Sequence, residues 1–150
     1  MQALGMGALL GCLALAQGGG TARMLVPAGL AARAHATVTA DFKVEIENGF
    51  HIQSNRPKLD YLIPTELNLT PADGVSVLKV AWPKATEHTF AFAPKQPLSV
   101  FEGTVVVPVT LKTGAAGTAT LHGSFRYQAC NDELCKPPVT VPITLTLRVR

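Results

Sequence analysis

From Thr37 onward, hydrophobic and polar residues alternate along much of the chain. Phe42, Val44 and Ile46 fall between Asp41, Lys43, Glu45 and Glu47, the period of two of a half-buried strand. Asn48-Gly49 predicts a turn, and Phe50–Pro57 a short extended piece followed by a polar loop. Thr65–Leu69 alternates again, Pro71-Ala72-Asp73-Gly74 has turn chemistry, and Val75–Trp82 reads as a strand ended by Pro83. After Leu98–Phe101 comes a run of Val105, Val107, Val109 and Leu111. Pro108 inside that run predicts an edge strand or a bulge. Thr113–Gly117 is expected to be a hairpin loop. Beyond it, Leu121, Gly123, Phe125 and Tyr127 alternate with Thr120, His122, Ser124, Arg126 and Gln128. Val141, Ile143, Leu145, Leu147 and Val149 carry the pattern to the end. Lys84–Pro97 has no clean period and is the longest irregular stretch, of the kind that is often functional.

About seven or eight short strands, turn signals between them and no amphipathic helix predict an all-β sandwich of immunoglobulin-like type. The distant cysteine pair around a tryptophan that marks antibody domains is missing, so the expectation concerns architecture only. The domain is expected to span 37–150. Gln17–Ala36 is rich in Gly and Ala without a sustained period and reads as a linker or disordered lead-in. A short helix around Leu25–Arg33 would have no clear partner face. Residues 1–16 carry no charge and are mostly Ala, Leu, Gly and Met. They fit a secretory signal peptide cleaved at Ala14-Leu15-Ala16. Leu9-Leu10-Gly11-Cys12 also resembles a lipobox, which would anchor the protein by lipid on Cys12. Cleavage after Ala16 would leave Cys130 and Cys135 as the only thiols, in an oxidising compartment.

Composition narrows the choice of function. The 150 residues include only 15% charged ones, and the net charge of +3 is scattered rather than clustered. That argues against nucleic-acid binding. His35, His51, His88 and His122 lie on separate segments, none at ligand spacing with another, so no metal site is expected. His122 falls on the polar face of its strand, and His51 suits a structural hydrogen bond. Trp82 suits the core or its rim. Asp60 and Glu66 have no paired partner, and no Ser-His-Asp arrangement or phosphate loop is readable.

The remaining candidate chemistry is Cys130 and Cys135, with four intervening residues, between two strand-like runs. A ring that short restrains the unfolded chain by roughly 2 kcal/mol, against about 4.7 for a loop of about 100 residues. The pair is a poor staple and better suited to opening and closing. A permanently oxidised clip stays as the alternative. The chain would then be a non-catalytic interaction module that binds a protein through an edge strand or the Lys84–Pro97 loop.

Tyr127-Gln128-x-Cys130-Asn131-Asp132-x-x-Cys135-x-Pro137-Pro138 resembles the active-site hairpin of the N-terminal periplasmic domain of the thiol:disulfide interchange protein DsbD. Gly49-Phe50-His51-Ile52-Gln53-Ser54-Asn55-x-Pro57, Ile63-Pro64-Thr65-Glu66-Leu67 and Phe101-Glu102-Gly103 are similar to that family upstream. The resemblance implies an immunoglobulin-like domain with a reversible disulfide and no cofactor. Cys135 would form the mixed disulfide with a partner and Cys130 would resolve it, flanked by Tyr127. Asp132 and Glu133 would disfavour a thiolate outside the right complex. It further implies a cap loop near Glu87–Pro94, with Phe90 or Phe92 as an aromatic lid. Implied partners are periplasmic thioredoxin-fold proteins and, since the chain stops at Arg150, a separate membrane electron donor of DsbD or CcdA type. The domain is expected to be monomeric.

Overall fold

The computed structural model describes residues 14–17 and 20–150. Among the described residues, thirteen strands run in chain order as β1 Ala14–Gln17, β2 Ala22–Pro27, β3 Leu30–Ala32, β4 Thr37–Ile46, β5 His51–Gln53, β6 Glu66–Leu69 and β7 Ser76–Val80. They continue as β8 Thr86–His88, β9 Leu98–Phe101, β10 Thr104–Lys112, β11 Gly117–Tyr127, β12 Ala129–Cys130 and β13 Val139–Val149. The all-β expectation holds. Most of the strands beyond the expected number are pieces of two to four residues, too short to show a period. Of the expected signal peptide and lipid anchor, all but Ala14–Ala16 lies outside the described residues.

The strands form three sheets, ordered β1-β2-β4-β10-β7, β3-β13-β11-β6 and β12-β5-β9-β8. The inward side chains of the first two make one core. Met24, Phe42, Val44, Val107 and Leu111 from the first meet Leu121, Phe125, Ile143, Leu145 and Leu147 from the second. This is the two-layer packing that alternation predicts. A smaller cluster of Leu62, Phe90, Leu98 and Val100 lies with the third sheet.

Within the stretch expected to be a loose lead-in, Ala22–Pro27 and Leu30–Ala32 are strands, and no helix forms over Leu25–Arg33. β2 pairs with β4 from Ala22↔Ile46 to Leu25↔Lys43 and buries Ala22, Met24 and Val26 completely. Outside, the Arg23 guanidinium meets the Glu45 carboxylate at 2.5 Å. β3 adds itself parallel to β13. The alternation was present, but Ala and Met are weak strand formers and the flanking glycines diluted the signal.

Two further expectations change. Pro108 sits in β10, an interior strand rather than an edge, which pairs with both β4 and β7; the bulge offered as the other expectation is met close by, where the register with β7 shifts between Thr110 and Leu111. The proline is tolerated because the pairing with β7 ends at Val109↔Val80. There the Pro108 carbonyl accepts the Ala81 N–H at 2.9 Å, so the absent N–H falls beyond the ladder. Thr113–Ala116 is not a hairpin loop but an arch from the first sheet to the second. Buried Thr113 fixes it, donating its hydroxyl to the Arg33 carbonyl at 2.6 Å and accepting the Ala36 N–H at 2.9 Å. The turn at Ala72–Val75 matches its chemistry, with Asp73 and Gly74 both at positive φ, the type I′ arrangement.

Gly123 marks where β6 crosses closest to β11, since a Cβ there would lie 1.9 Å from the Asn68 carbonyl oxygen. Gly123→Ala is expected to cost about 1–3 kcal/mol through forced backbone movement. Met24→Ala is expected to cost about 2–5 kcal/mol, the penalty of a core cavity, because β2 belongs to the core. Denaturant unfolding of each variant checks both values.

Candidate functional site

The third sheet carries the cysteines. β12 lies antiparallel to β5 with only two register pairs, Ala129↔Ile52 and Cys130↔His51. Past Cys130 the chain turns on Asn131. Its side-chain oxygen accepts the N–H groups of Glu133 and Leu134, each at 2.9 Å, and its own N–H donates to the Leu134 carbonyl at 2.9 Å. An Asn that satisfies the backbone in this way favours a tight turn. The Lys136 N–H then donates to the Ala129 carbonyl at 2.8 Å, which brings Cys135 back opposite Cys130, and the two sulfurs are bonded. Pro137 and Pro138 have no N–H and end the returning limb.

The two cysteines have different surroundings. Cys130 is fully buried, whereas Cys135 is half-buried. A nucleophile arriving from solvent therefore meets Cys135. On the buried side, the Gln53 amide donates to Cys130 Sγ at 3.4 Å. Gln53 itself is fully buried; its backbone N–H donates to the Gln128 carbonyl at 3.2 Å and its carbonyl accepts the Thr65 hydroxyl. The Gln128 side chain joins the hairpin to the preceding loop, accepting the Ile63 N–H at 3.1 Å and donating to the Lys136 carbonyl at 3.4 Å.

His51 is also buried, and its Nε2 has no hydrogen-bond partner, contrary to the structural hydrogen bond expected of it. Its ring stacks on Phe90 with centroids 3.9 Å apart. Burial, and secondarily the charge of His88, lower its pKa to about 4, while Asp132 pulls the other way. The imidazole is therefore neutral at ordinary pH. A shallow groove opens over it, bordered by Phe50, His88, Phe90, Glu102 and Asp132.

The segment expected to form a cap is better ordered than its sequence suggests. β8 pairs with β9 from Thr86↔Val100 to His88↔Leu98, and Lys58 forms an ion pair with Glu87. The chain then turns Phe90 inward between His51 and His88, the latter with its ring centroid 4.5 Å away. Phe92 stacks outside Phe90 at 5.6 Å and remains 37% exposed. Of the two lid candidates, only Phe90 packs on a residue that faces Cys130.

Asp132 and Glu133 stand exposed in the turn, beside half-buried Cys135. Tyr127 is enclosed in the core, stacked on Phe125 at 5.1 Å with its hydroxyl accepting the Ala22 N–H at 3.4 Å. It braces the start of β2. His122 is exposed and meets the Thr144 hydroxyl, as its place on the polar face implied. Among the described residues, no three His, Cys, Asp or Glu side chains gather as a metal site. No motif in the sequence points to the contact of Gln53 with sulfur. Its only signal was two polar residues, His51 and Gln53, spaced two apart in an extended stretch.

A family model described as thiol:disulfide interchange protein DsbD, N-terminal, matches residues 22–147. No curated protein sequence matches the chain significantly. Among solved structures, the chain resembles the N-terminal periplasmic domain of ScsB from Proteus mirabilis, with a TM-score of 0.58 and 18% identity. The match covers 85% of this chain and 46% of that one. It also resembles the reduced DsbD N-terminal domain of Neisseria meningitidis (TM-score 0.52, 16% identity, 77% and 82% of the two chains). A third match is the complex of the Neisseria meningitidis DsbD and PilB N-terminal domains (TM-score 0.50, 17% identity, 74% and 77% covered). At these identities the likeness establishes the fold.

The low pKa of His51 has a consequence for stability. Between pH 6.5 and about 4, the unfolded chain takes up a proton that the folded His51 refuses, so stability falls as pH drops through that window. The expected loss is on the order of 1–2 kcal/mol, reduced from the full linkage value because the groove admits solvent. His51→Phe should flatten this part of the profile. Urea unfolding of both proteins at a series of pH values measures it.

Proposed function

The chain belongs to the family of DsbD N-terminal domains, and on that footing we propose that it carries two electrons at a time through a reversible Cys130–Cys135 disulfide. The observation that carries this reading is the unequal burial of the bonded pair: Cys130 is sealed and held by Gln53, and Cys135 is open to approach.

In the accepting half-cycle, a thiolate of the electron donor attacks Cys135 Sγ. The bond between the two sulfurs breaks and Cys130 leaves with the electron pair. A second donor thiol then resolves the mixed disulfide, leaving both cysteines reduced and the donor oxidised. In the delivering half-cycle, Cys135 attacks a partner's disulfide and Cys130 displaces the partner from Cys135. The cysteines themselves supply the redox chemistry, so no cofactor is required. The Asp132 and Glu133 carboxylates work against a free thiolate on Cys135, which slows exchange with casual disulfides. Phe90, packed on His51, is the lid of the buried side.

The acceptors are thioredoxin-fold proteins and the donor is a membrane protein of DsbD or CcdA type, with exchange taking place in the periplasm. Support comes from the family itself, from the Proteus domain described as periplasmic and from the Neisseria complex with the PilB domain.

Two measurements test the proposal. The Cys130–Cys135 couple should have a potential within the range of exchange proteins, about −120 to −270 mV, measured by equilibration with glutathione or thioredoxin and alkylation. A potential below about −300 mV with slow exchange would identify a static clip and return the function to the sandwich surface. Separately, Cys130→Ser should accumulate a mixed disulfide with a thioredoxin-fold protein, and Cys135→Ser should not. The reverse outcome would exchange the roles of the two cysteines.

A further inference from the structure

We propose that His51 is the general base that takes the proton from Cys130 when Cys130 resolves the mixed disulfide. The inference rests on the exchange function proposed above and assigns a step in it to a residue outside the cysteine pair.

Three observations lead to it. Cys130 and His51 are direct register partners in the β12–β5 ladder, so their side chains leave the same face of the sheet side by side. Gln53, two residues along β5 and therefore on that face, does reach Cys130 Sγ. Lastly, His51 Nε2 is buried and unpartnered, an expense that native structures seldom leave unexplained. In the disulfide form, Cys130 has no proton to offer. The thiol form has one, beside a neutral imidazole.

The chemistry needs such a group. A thiol in a dry pocket keeps its proton and is a poor nucleophile. Gln53, an amide, can hold the sulfur but cannot accept its proton. In the step assigned here, the Cys130 proton passes to His51 and Cys130 Sγ bonds to Cys135 Sγ. The bond from Cys135 to the partner breaks, and the partner leaves as a thiolate with both electrons. His51 then releases its proton to the leaving thiolate or to solvent. The imidazolium formed meanwhile feels Asp132 across the groove, which favours it, and His88, which opposes it. Glu47 and Glu102 also border this groove, and Lys136 lies over the neighbouring Phe50 ring. Asp132 borders the same groove as His51 and acts on it through charge, which favours the imidazolium.

The test uses the reduced protein and dithiobisnitrobenzoate, an aryl disulfide whose released thiolate is coloured. Attack by Cys135 releases the first thiolate, and resolution by Cys130 releases the second, so the two steps appear as separate phases. In the wild type, the second phase should vary little between about pH 5 and 8, because His51 is the acceptor throughout. In His51→Gln it should be about a hundredfold slower at pH 6 and rise about tenfold per pH unit, as free thiolate takes over. Asp132→Asn changes an exposed turn residue and decides the matter even if His51→Gln does not fold. It should slow the second phase, whereas loss of a carboxylate acting on the thiols alone would speed it. A second phase in His51→Gln with wild-type rate and pH profile, or a faster one in Asp132→Asn, overturns the role of His51 and leaves the shuttle standing. A wild type that never releases the second thiolate overturns the shuttle itself.

Discussion

The site depends on two register pairs. Ala129 on Ile52 and Cys130 on His51 are the only ladder pairs between the cysteine hairpin and β5. Side chains along a strand alternate between faces, so a slip of one residue would turn Cys130 away from Gln53 and His51. Gln128 holds the register from the side. Its backbone carbonyl accepts from Gln53 while its side chain spans the Ile63 N–H and the Lys136 carbonyl. β5 is held in turn by β9, its other neighbour, and Ile52 reaches the main core. Sandwich packing thus determines the position of the buried sulfur.

Burial outweighs charge in this site. For His51 the largest effect is the loss of water, and the nearby carboxylate of Asp132 only reduces it. A group in the interior loses the solvation that stabilises its charged form, while an exposed carboxylate acts through solvent and is screened. The same division separates the cysteines. Cys130 is enclosed by packing and one amide contact; Cys135 is half-buried beside the exposed turn carboxylates. Such unequal surroundings distinguish the accessible sulfur from the enclosed one.

The aromatic segment above His51 illustrates how an irregular stretch becomes structure. Lys84–Pro97 has no period because only three of its residues form a strand, and all three are exposed. What orders it is tertiary: β8 borrows the edge of β9, Lys58 pairs with Glu87, and Phe90 enters a cluster with Leu62, Leu98 and Val100. Phe90 is buried and Phe92 partly exposed, a difference the sequence does not show.

Alternation of apolar and polar residues determined the long strands β4, β10, β11 and β13, because each has one wet face and one dry one and the period of two must record that. Local chemistry determined the turns at Asp73-Gly74 and Asn131, where side chain or backbone freedom satisfies the bend within a few residues. The close spacing of Cys130 and Cys135 singled out the hairpin that carries them, since a short ring is a weak staple whatever surrounds it. Other features were decided only by tertiary structure. Ala22, Met24 and Val26 form a core strand because β4 offers them an edge, and Thr113–Ala116 crosses between sheets because both flanking strands find partners elsewhere. Gln53 and His51 gain their relation to Cys130 from a ladder between residues far apart in the chain. Contacts of that kind depend on which strands become neighbours, and no local pattern in either segment encodes its partner.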